Sequence, residues 1–318
     1  MAKYAFLFPG QGAQAPGMVK DIAEAYPCAK KVIDDVSSII NLDMAKLMWE
    51  SDMETLSRSD NSQIAITTAS IAIMAALKEK GVEASAAMGF SLGEFPALYA
   101  AGVLSFEDVI KVVRQRGLIM QKVCEEIAAK NEGHAPGMSA VLGLPPEKVK
   151  EVVANIPDAY AANMNSKVQT VVSGTFDALE KVEAAAKEAG ARRSVRLKVA
   201  GPFHSPLMQD AAVEFEKVLA DVTFNDPKIH LFSNVTGKEV TKGDEAKSSA
   251  VLHLTQPVLW TDEEAVLASI IESEGGFENW KIYEPGPGSV LSGLWGKTEY
   301  AEKLSCESVN TVETIPNA

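Results

Sequence analysis

Ala84-Ser85-Ala86-Ala87-Met88-Gly89-Phe90-Ser91-Leu92-Gly93 is the stretch that decides the fold class. Ala84 to Met88 reads as a short, small-residue buried strand. Gly89 and Gly93 then bracket Ser91 in a G-x-S-x-G turn that opens a helix. A strand, a tight turn and a helix in succession form the basic unit of an α/β protein. Immediately upstream, a helix is expected from about Gln63 to Glu79, closed by Gly81. At the start of the chain, Tyr4 to Phe8 reads as another buried strand. Pro9-Gly10-Gln11-Gly12-Ala13-Gln14 cannot continue it and must form a sharp loop.

Further along, the pattern changes. Met138 to Leu142 reads as a strand, and Pro145-Pro146 opens a helix with Val149, Val152, Val153 and Ile156 on one face. Ala159 to Asn163 and Val168 to Val172 read as two more strands. Phe176 to Glu188 is a helix closed by Gly190. Val195, Leu197 and Val199 alternate with Ser194, Arg196 and Lys198, which predicts a half-buried strand with its valines and leucine inward. The order β-α-β-β-α-β is the split βαβ arrangement of ferredoxin-like domains. The expected architecture is therefore α/β. A large α/β hydrolase-like domain, residues 1–130 and 200–318, is interrupted by a small ferredoxin-like α+β domain, residues 131–199.

Ser91 is the first candidate for chemistry. A strand-to-helix reversal lifts a serine Oγ clear of the backbone, and the helix behind it aims N–H groups and a positive dipole end at the site. A plain glycine turn fits the same five residues. A serine nucleophile needs a base, and the chain has four histidines. His204, in Gly201-Pro202-Phe203-His204-Ser205-Pro206, follows the last strand of the small domain, where a loop can return to the active-site edge. His134 reads as an exposed loop residue and His230 as structural. His253 is harder to place. Arg116, in Val112-Val113-Arg114-Gln115-Arg116-Gly117, is either part of a solvated helix face or a grip for a substrate carboxylate.

The bulk composition narrows the partners. The formal net charge of −13 argues against nucleic acid and against an anionic membrane. The longest weakly polar run, Ile66 to Leu77, is shorter than the roughly 18 residues a transmembrane helix needs. Three scattered cysteines, without metal or redox spacing, fit reduced thiols in the cytoplasm. Against this acidic background, Arg192, Arg193, Arg196 and Lys198 form a basic strip beside His204. It is either a docking patch for an acidic partner or a strand edge kept charged against aggregation.

Seven segments occur in sequence from residue 6 to about 295: Phe8-Pro9-Gly10-Gln11-Gly12-Ala13-Gln14; Gly89-Phe90-Ser91-Leu92-Gly93-Glu94; Arg114-Gln115-Arg116-Gly117 with Met120-Gln121; Ala162-Asn163-Met164-Asn165; Gly174; Phe203-His204-Ser205-Pro206-Leu207-Met208; and Glu284-Pro285-Gly286-Pro287-Gly288. Together they resemble the malonyl-CoA:acyl carrier protein transacylases and the acyltransferase domains of fatty-acid and polyketide synthases. The resemblance implies malonyl transfer from coenzyme A to the phosphopantetheine thiol of acyl carrier protein. Ser91 would be the acylated nucleophile, and His204 the general base and then the general acid. Backbone N–H groups of Gln11 and Leu92 would hold the oxyanion. Arg116 would bind the malonyl carboxylate, with Phe90, Phe203, Asn163 and Met120 also contacting substrate. A main-chain carbonyl from about His253 would orient His204. No metal and no cofactor are implied. Phe90 stands where the family usually has histidine, and His253 where it usually has glutamine or asparagine. Competing readings are a stand-alone acyltransferase of a polyketide assembly line, a serine thioesterase or hydrolase, and a non-catalytic binding module.

Overall fold

The computed structural model describes residues 2–131 and 133–316. Met1, Glu132, Asn317 and Ala318, which fall within the expected domain ranges, lie outside the described residues. The chain gives β1 (Lys3–Phe8) and β2 (Ala86–Gly89) to one sheet. It then builds a second sheet from β3 (Gly137–Leu142), β4 (Ala159–Ser166), β5 (Gln169–Gly174) and β6 (Arg193–Arg196). It returns to the first with β7 (His230–Ser233), β8 (Lys238–Glu239), β9 (Trp280–Pro285) and β10 (Cys306–Val309). The fold is mixed α/β.

The first sheet runs β10-β9-β1-β2-β7-β8 and is parallel except for the β7–β8 pair. Both faces of its centre are buried, as a parallel sheet requires. Phe6 and Phe8 of β1 enter one core, while Ala5 and Leu7 enter the other. Phe8 pairs with Gly89, so the loop after β1 and the turn after β2 leave the same carboxyl edge side by side. Beyond β1 lies β9, so strand order reverses here. The crevice outside such a reversal is where open α/β sheets bind ligands.

The helix expected from Gln63 begins earlier and spans Ser59–Glu79. Its first polar residues, Ser59, Ser62 and Gln63, are buried between helices. A turn-like polar start therefore belongs to the helix. It ends as expected, with Gly81 at φ +72°.

The second sheet runs β4-β5-β3-β6 and is antiparallel throughout. The helices Pro146–Ala154 and Phe176–Glu188 cover one face through Val141, Val149, Val172, Leu179 and Val182. Met138, Ala140, Ala162 and Val171 instead join the core of the first sheet's side. Two main-chain bonds stitch the units together, from Met164 N–H to Val258 O (2.9 Å) and from Val258 N–H to Ala162 O (2.8 Å).

The last small-unit strand corrects the expectation of inward valines. Val195 is 37% exposed, and Arg196 is the residue that turns toward the helix. Its guanidinium lies 4.9 Å from the Phe176 ring centre, pairs with Glu183 and donates to Phe176 O at 3.2 Å. On an edge strand, an aromatic face with an acid beside it holds an arginine stem better than a valine. Leu197 and Val199 lie beyond the strand and line the cleft between the units. Among the described residues, no helix is long and apolar enough to cross a membrane.

Candidate active site

The turn after β2 is dictated by sterics. A Cβ on Gly89 would overlap the carbonyl of Gly93, and one on Gly93 would overlap the carbonyl of Phe8. Only glycine lets the chain fold back so tightly against the end of β1. Between them Ser91 takes φ +53°, a left-handed conformation. That costs a non-glycine residue about 1–3 kcal/mol and persists only where the surroundings enforce it. Asn234, directly after β7, enforces it. Its Oδ1 accepts the Ser91 N–H at 2.7 Å and its Nδ2 donates to Gly89 O at 2.7 Å. A short 3₁₀ turn, Ser91–Gly93, then leads into the helix Glu94–Ala100.

His204 reaches Ser91 across the cleft between the units. Its Nε2 lies 2.8 Å from Ser91 Oγ, and its Nδ1 lies 2.8 Å from His253 O. A carbonyl can only accept, so Nδ1 carries the proton and Nε2 is free to accept the serine O–H. The His253 carbonyl is available because it closes the helix Gly243–Leu252, whose last carbonyls lack helical partners. His204 itself sits at φ +56°, and the loop is pinned where Ser173 Oγ donates to Phe203 O and Ser205 Oγ donates to Pro202 O. Burial, and then the charge of Arg116, push the His204 imidazolium down to about 4. The ring is therefore a neutral base at pH 7.

Arg116 is no solvated helix residue. It is 1% exposed, midway along the helix Phe106–Lys130. One nitrogen donates to Gln63 Oε1 at 2.7 Å, while Nε and the other terminal nitrogen have no hydrogen-bond partner among the described residues. Its guanidinium lies 5.3 Å from the Phe95 ring centre. Burial lowers its pKa to about 10. The helix carrying it packs close to Ser59–Glu79 because Gly117 has no side chain; a Cβ there would meet Ser59 O at 2.7 Å.

One cavity of about 220 Å³ collects most of the sequence candidates. Ser91, His204, Arg116, Gln11, Phe90, Phe203, Asn163 and Met120 all line it. Leu92 is buried in the core and is not among the residues lining the cavity. Its N–H and that of Gln11 make no hydrogen bond among the described residues, whereas the Ser91 N–H is taken by Asn234. Phe90 packs edge-on against Trp260 at 5.4 Å. The His253 side chain points to Asn234, donating from Nε2 to Oδ1 at 2.9 Å. Glu94 Oε2 also lies 4.0 Å from that nitrogen, but burial holds His253 well below its ordinary pKa. The contact is therefore not an ion pair. The strip beside the cleft is partly as expected, with Arg192, Arg193 and Lys198 exposed and Arg196 engaged by Glu183.

Sequence reading missed Asn234, Gln63 and Glu263. Asn234 looks like a turn residue after a strand. Glu263, in Thr261-Asp262-Glu263-Glu264, looks like the acidic first turn of a helix, yet it is fully buried and accepts from Asn234 Nδ2 at 2.8 Å. Its burial raises its pKa well above the carboxylate range. Glu94, buried behind the serine, is pushed up to about 7 by burial, against the pull of the Asn234 N–H and Arg116.

Comparison with known proteins places this geometry. Residues 5–274 match the acyl transferase domain family. The malonyl CoA-acyl carrier protein transacylase of Bacillus subtilis (strain 168) is 38% identical, over 99% of this chain and 96% of its own. A crystal structure of an acyl carrier protein S-malonyltransferase from Vibrio cholerae superposes with a TM-score of 0.88 at 34% identity, covering 99% of both chains. A malonyl-transacylase solved in complex with a type II PKS acyl-carrier protein also superposes at 0.88, with 31% identity, over 99% of this chain and 98% of its own. The strained serine, its histidine and the buried arginine thus stand in a chain that belongs to the acyl transferase family, among the malonyl CoA-acyl carrier protein transacylases.

Proposed function

We propose that the chain transfers a malonyl group from malonyl-CoA to the phosphopantetheine thiol of acyl carrier protein, through an ester on Ser91. The observation that carries this reading is Arg116, a buried guanidinium with two unpartnered nitrogens in the same cavity as Ser91 and His204. A buried cation left short of partners is costly, and a substrate carboxylate is the group that completes it.

The steps follow from the tautomer. His204 Nε2 takes the Ser91 proton as Oγ attacks the thioester carbonyl. The oxyanion falls to the free N–H groups of Gln11 and Leu92, each such donor contributing about 3 kcal/mol in comparable sites. The imidazolium, steadied by the His253 carbonyl, returns its proton to the departing coenzyme A sulfur. The carrier thiol then repeats the sequence in reverse order. A carboxylate on Arg116 cancels the charge that weakens His204, so the base strengthens once substrate is bound. Phe90, Phe203, Met120 and Asn163 shape the acyl pocket. Exchange of thioester for thioester calls for no metal and no cofactor.

The βαββαβ order and the sheet order of the small unit support the ferredoxin-like description for 131–199. The parallel sheet and the serine turn support a hydrolase-like 1–130 and 200–318. Exposed Arg192, Arg193 and Lys198 at the cleft suit an acidic carrier. In this reading the chain supplies fatty-acid synthesis in the cytoplasm. The neighbour bound to a polyketide carrier keeps that second destination open. A thioesterase is disfavoured because His204 is oriented by a carbonyl instead of the acid that hydrolases of this type use.

The test is radiolabelled malonyl-CoA without carrier, followed by a denaturing gel. Label should stay on the protein, vanish in Ser91→Ala, and lose its preference over acetyl-CoA in Arg116→Ala. Release of free malonate with no bound label would establish a hydrolase instead.

A further inference from the structure

We infer that Asn234, which belongs to neither the serine turn nor the histidine loop, positions both members of the Ser91–His204 pair through one amide. The inference rests on the acyl-transfer reading above and deepens it.

The placement comes from the sheet. β7 lies beside β2, with Ala86 opposite His230 and Ala87 opposite Leu231. Asn234 therefore leaves the carboxyl edge level with the serine turn. It is fully buried, and every polar atom it has is engaged. Its N–H donates to Glu94 Oε2 at 3.0 Å, and its carbonyl accepts from Leu259 N–H at 2.8 Å. Oδ1 accepts from Ser91 N–H and His253 Nε2; Nδ2 donates to Gly89 O and Glu263 Oε1. The amide has one possible orientation, because a main-chain N–H can only donate and a main-chain carbonyl can only accept.

Two consequences meet at the dyad. Toward the nucleophile, the amide clamps both sides of Ser91 in its left-handed conformation. It also occupies the Ser91 N–H, leaving the next one, on Leu92, free for an anion. Toward the base, it fixes the His253 ring, and through it the residue whose carbonyl holds His204 Nδ1–H. Oγ and Nε2 thus have their separation set from a common point behind them.

The test separates positioning from mere stability. Single-turnover acylation by radiolabelled malonyl-CoA is measured for the wild type, Asn234→Ala and Asn234→Asp, with melting temperatures alongside. Asn234→Ala should lower the saturated acylation rate about 10²-fold, the scale of a misplacement near 1 Å, while half-saturation moves within about twofold. Asn234→Asp keeps the acceptors for Ser91 and His253, loses both donors, and sets a carboxylate beside Glu94 and Glu263. It should melt no higher than Asn234→Ala yet acylate about tenfold faster. Should Asn234→Ala not fold, Asn234→Ser, which keeps a single hydroxyl acceptor, gives the same comparison. Variants that acylate in the order of their melting temperatures, or Asn234→Ala within about threefold of wild type, would overturn the inference. An unlabelled wild type would sink the acyl-transfer reading itself, and this inference with it.

Discussion

Asn234 behind Ser91 and Arg116 in front of it are both buried and polar, and the fold treats them oppositely. The asparagine has each of its polar atoms bonded. The arginine has two nitrogens with none among the described residues. A satisfied buried amide stiffens its surroundings, whereas a buried cation short of hydrogen-bond partners carries a penalty that an incoming anion relieves. The region behind the serine is built for the folded state; the region in front is built for the complex.

Arg116→Met breaks the front half of this contrast and should give the largest effect. The specificity constant for malonyl-CoA should fall about 10²–10³-fold, because the carboxylate loses its buried cationic partner. The melting temperature should rise, since an apolar side chain of similar length replaces an underpaired charge. Steady-state kinetics and thermal melts check both; a lower melting temperature would mean that Arg116 is a structural group.

The acid side of the pH profile sharpens the contrast further. With His204 near 4 in the free protein, acylation measured as kcat/KM should stay level as pH falls from 7 and drop through about 4. In Arg116→Met the drop should move to higher pH, because the cation opposing the imidazolium is gone. The two groups have opposite linkage. The depressed His204 contributes stability that is full above 6.5 and is lost as pH falls through about 4. The raised Glu94 contributes stability that is full below 4.5 and is lost as pH rises through about 7.

The smallest effect belongs at the rim. Reversing Arg192 and Arg193 to glutamate should raise the KM for carrier protein about 3–10-fold, more at low salt, because exposed charges steer more than they bind. Acylation by malonyl-CoA alone should not change. A loss in both half-reactions would place the strip in the fold instead of the docking face.

What the sequence disclosed followed how locally each feature is determined. Gly89 and Gly93 announce the turn because no other residue fits its backbone. The small unit's helices show through the spacing of Val149, Val152 and Val153. The start at Ser59 stayed hidden because serines buried between helices look like serines in a turn. Val195 misled because alternation gives two faces without saying which is covered. Ser91, His204 and Arg116 stand near local motifs and were legible. Asn234 and Glu263 act across long sequence separations, and nothing in their own neighbourhoods marks them.

The pairing of Phe8 with Gly89 carries a last consequence. Gln11 and Leu92, the two proposed oxyanion donors, each lie three residues beyond a member of that pair. Their spacing is inherited from two adjacent strands, about 4.8 Å apart in any sheet. Chain length is therefore frozen at two places: one residue inserted or deleted between Phe8 and Gln11, or between Gly89 and Leu92, would spoil the site while leaving the core intact. In the long connection between those segments, the helix Ser59–Glu79, which brings Gln63 to Arg116, is held in register as well, so freedom in length is left to its exposed loops.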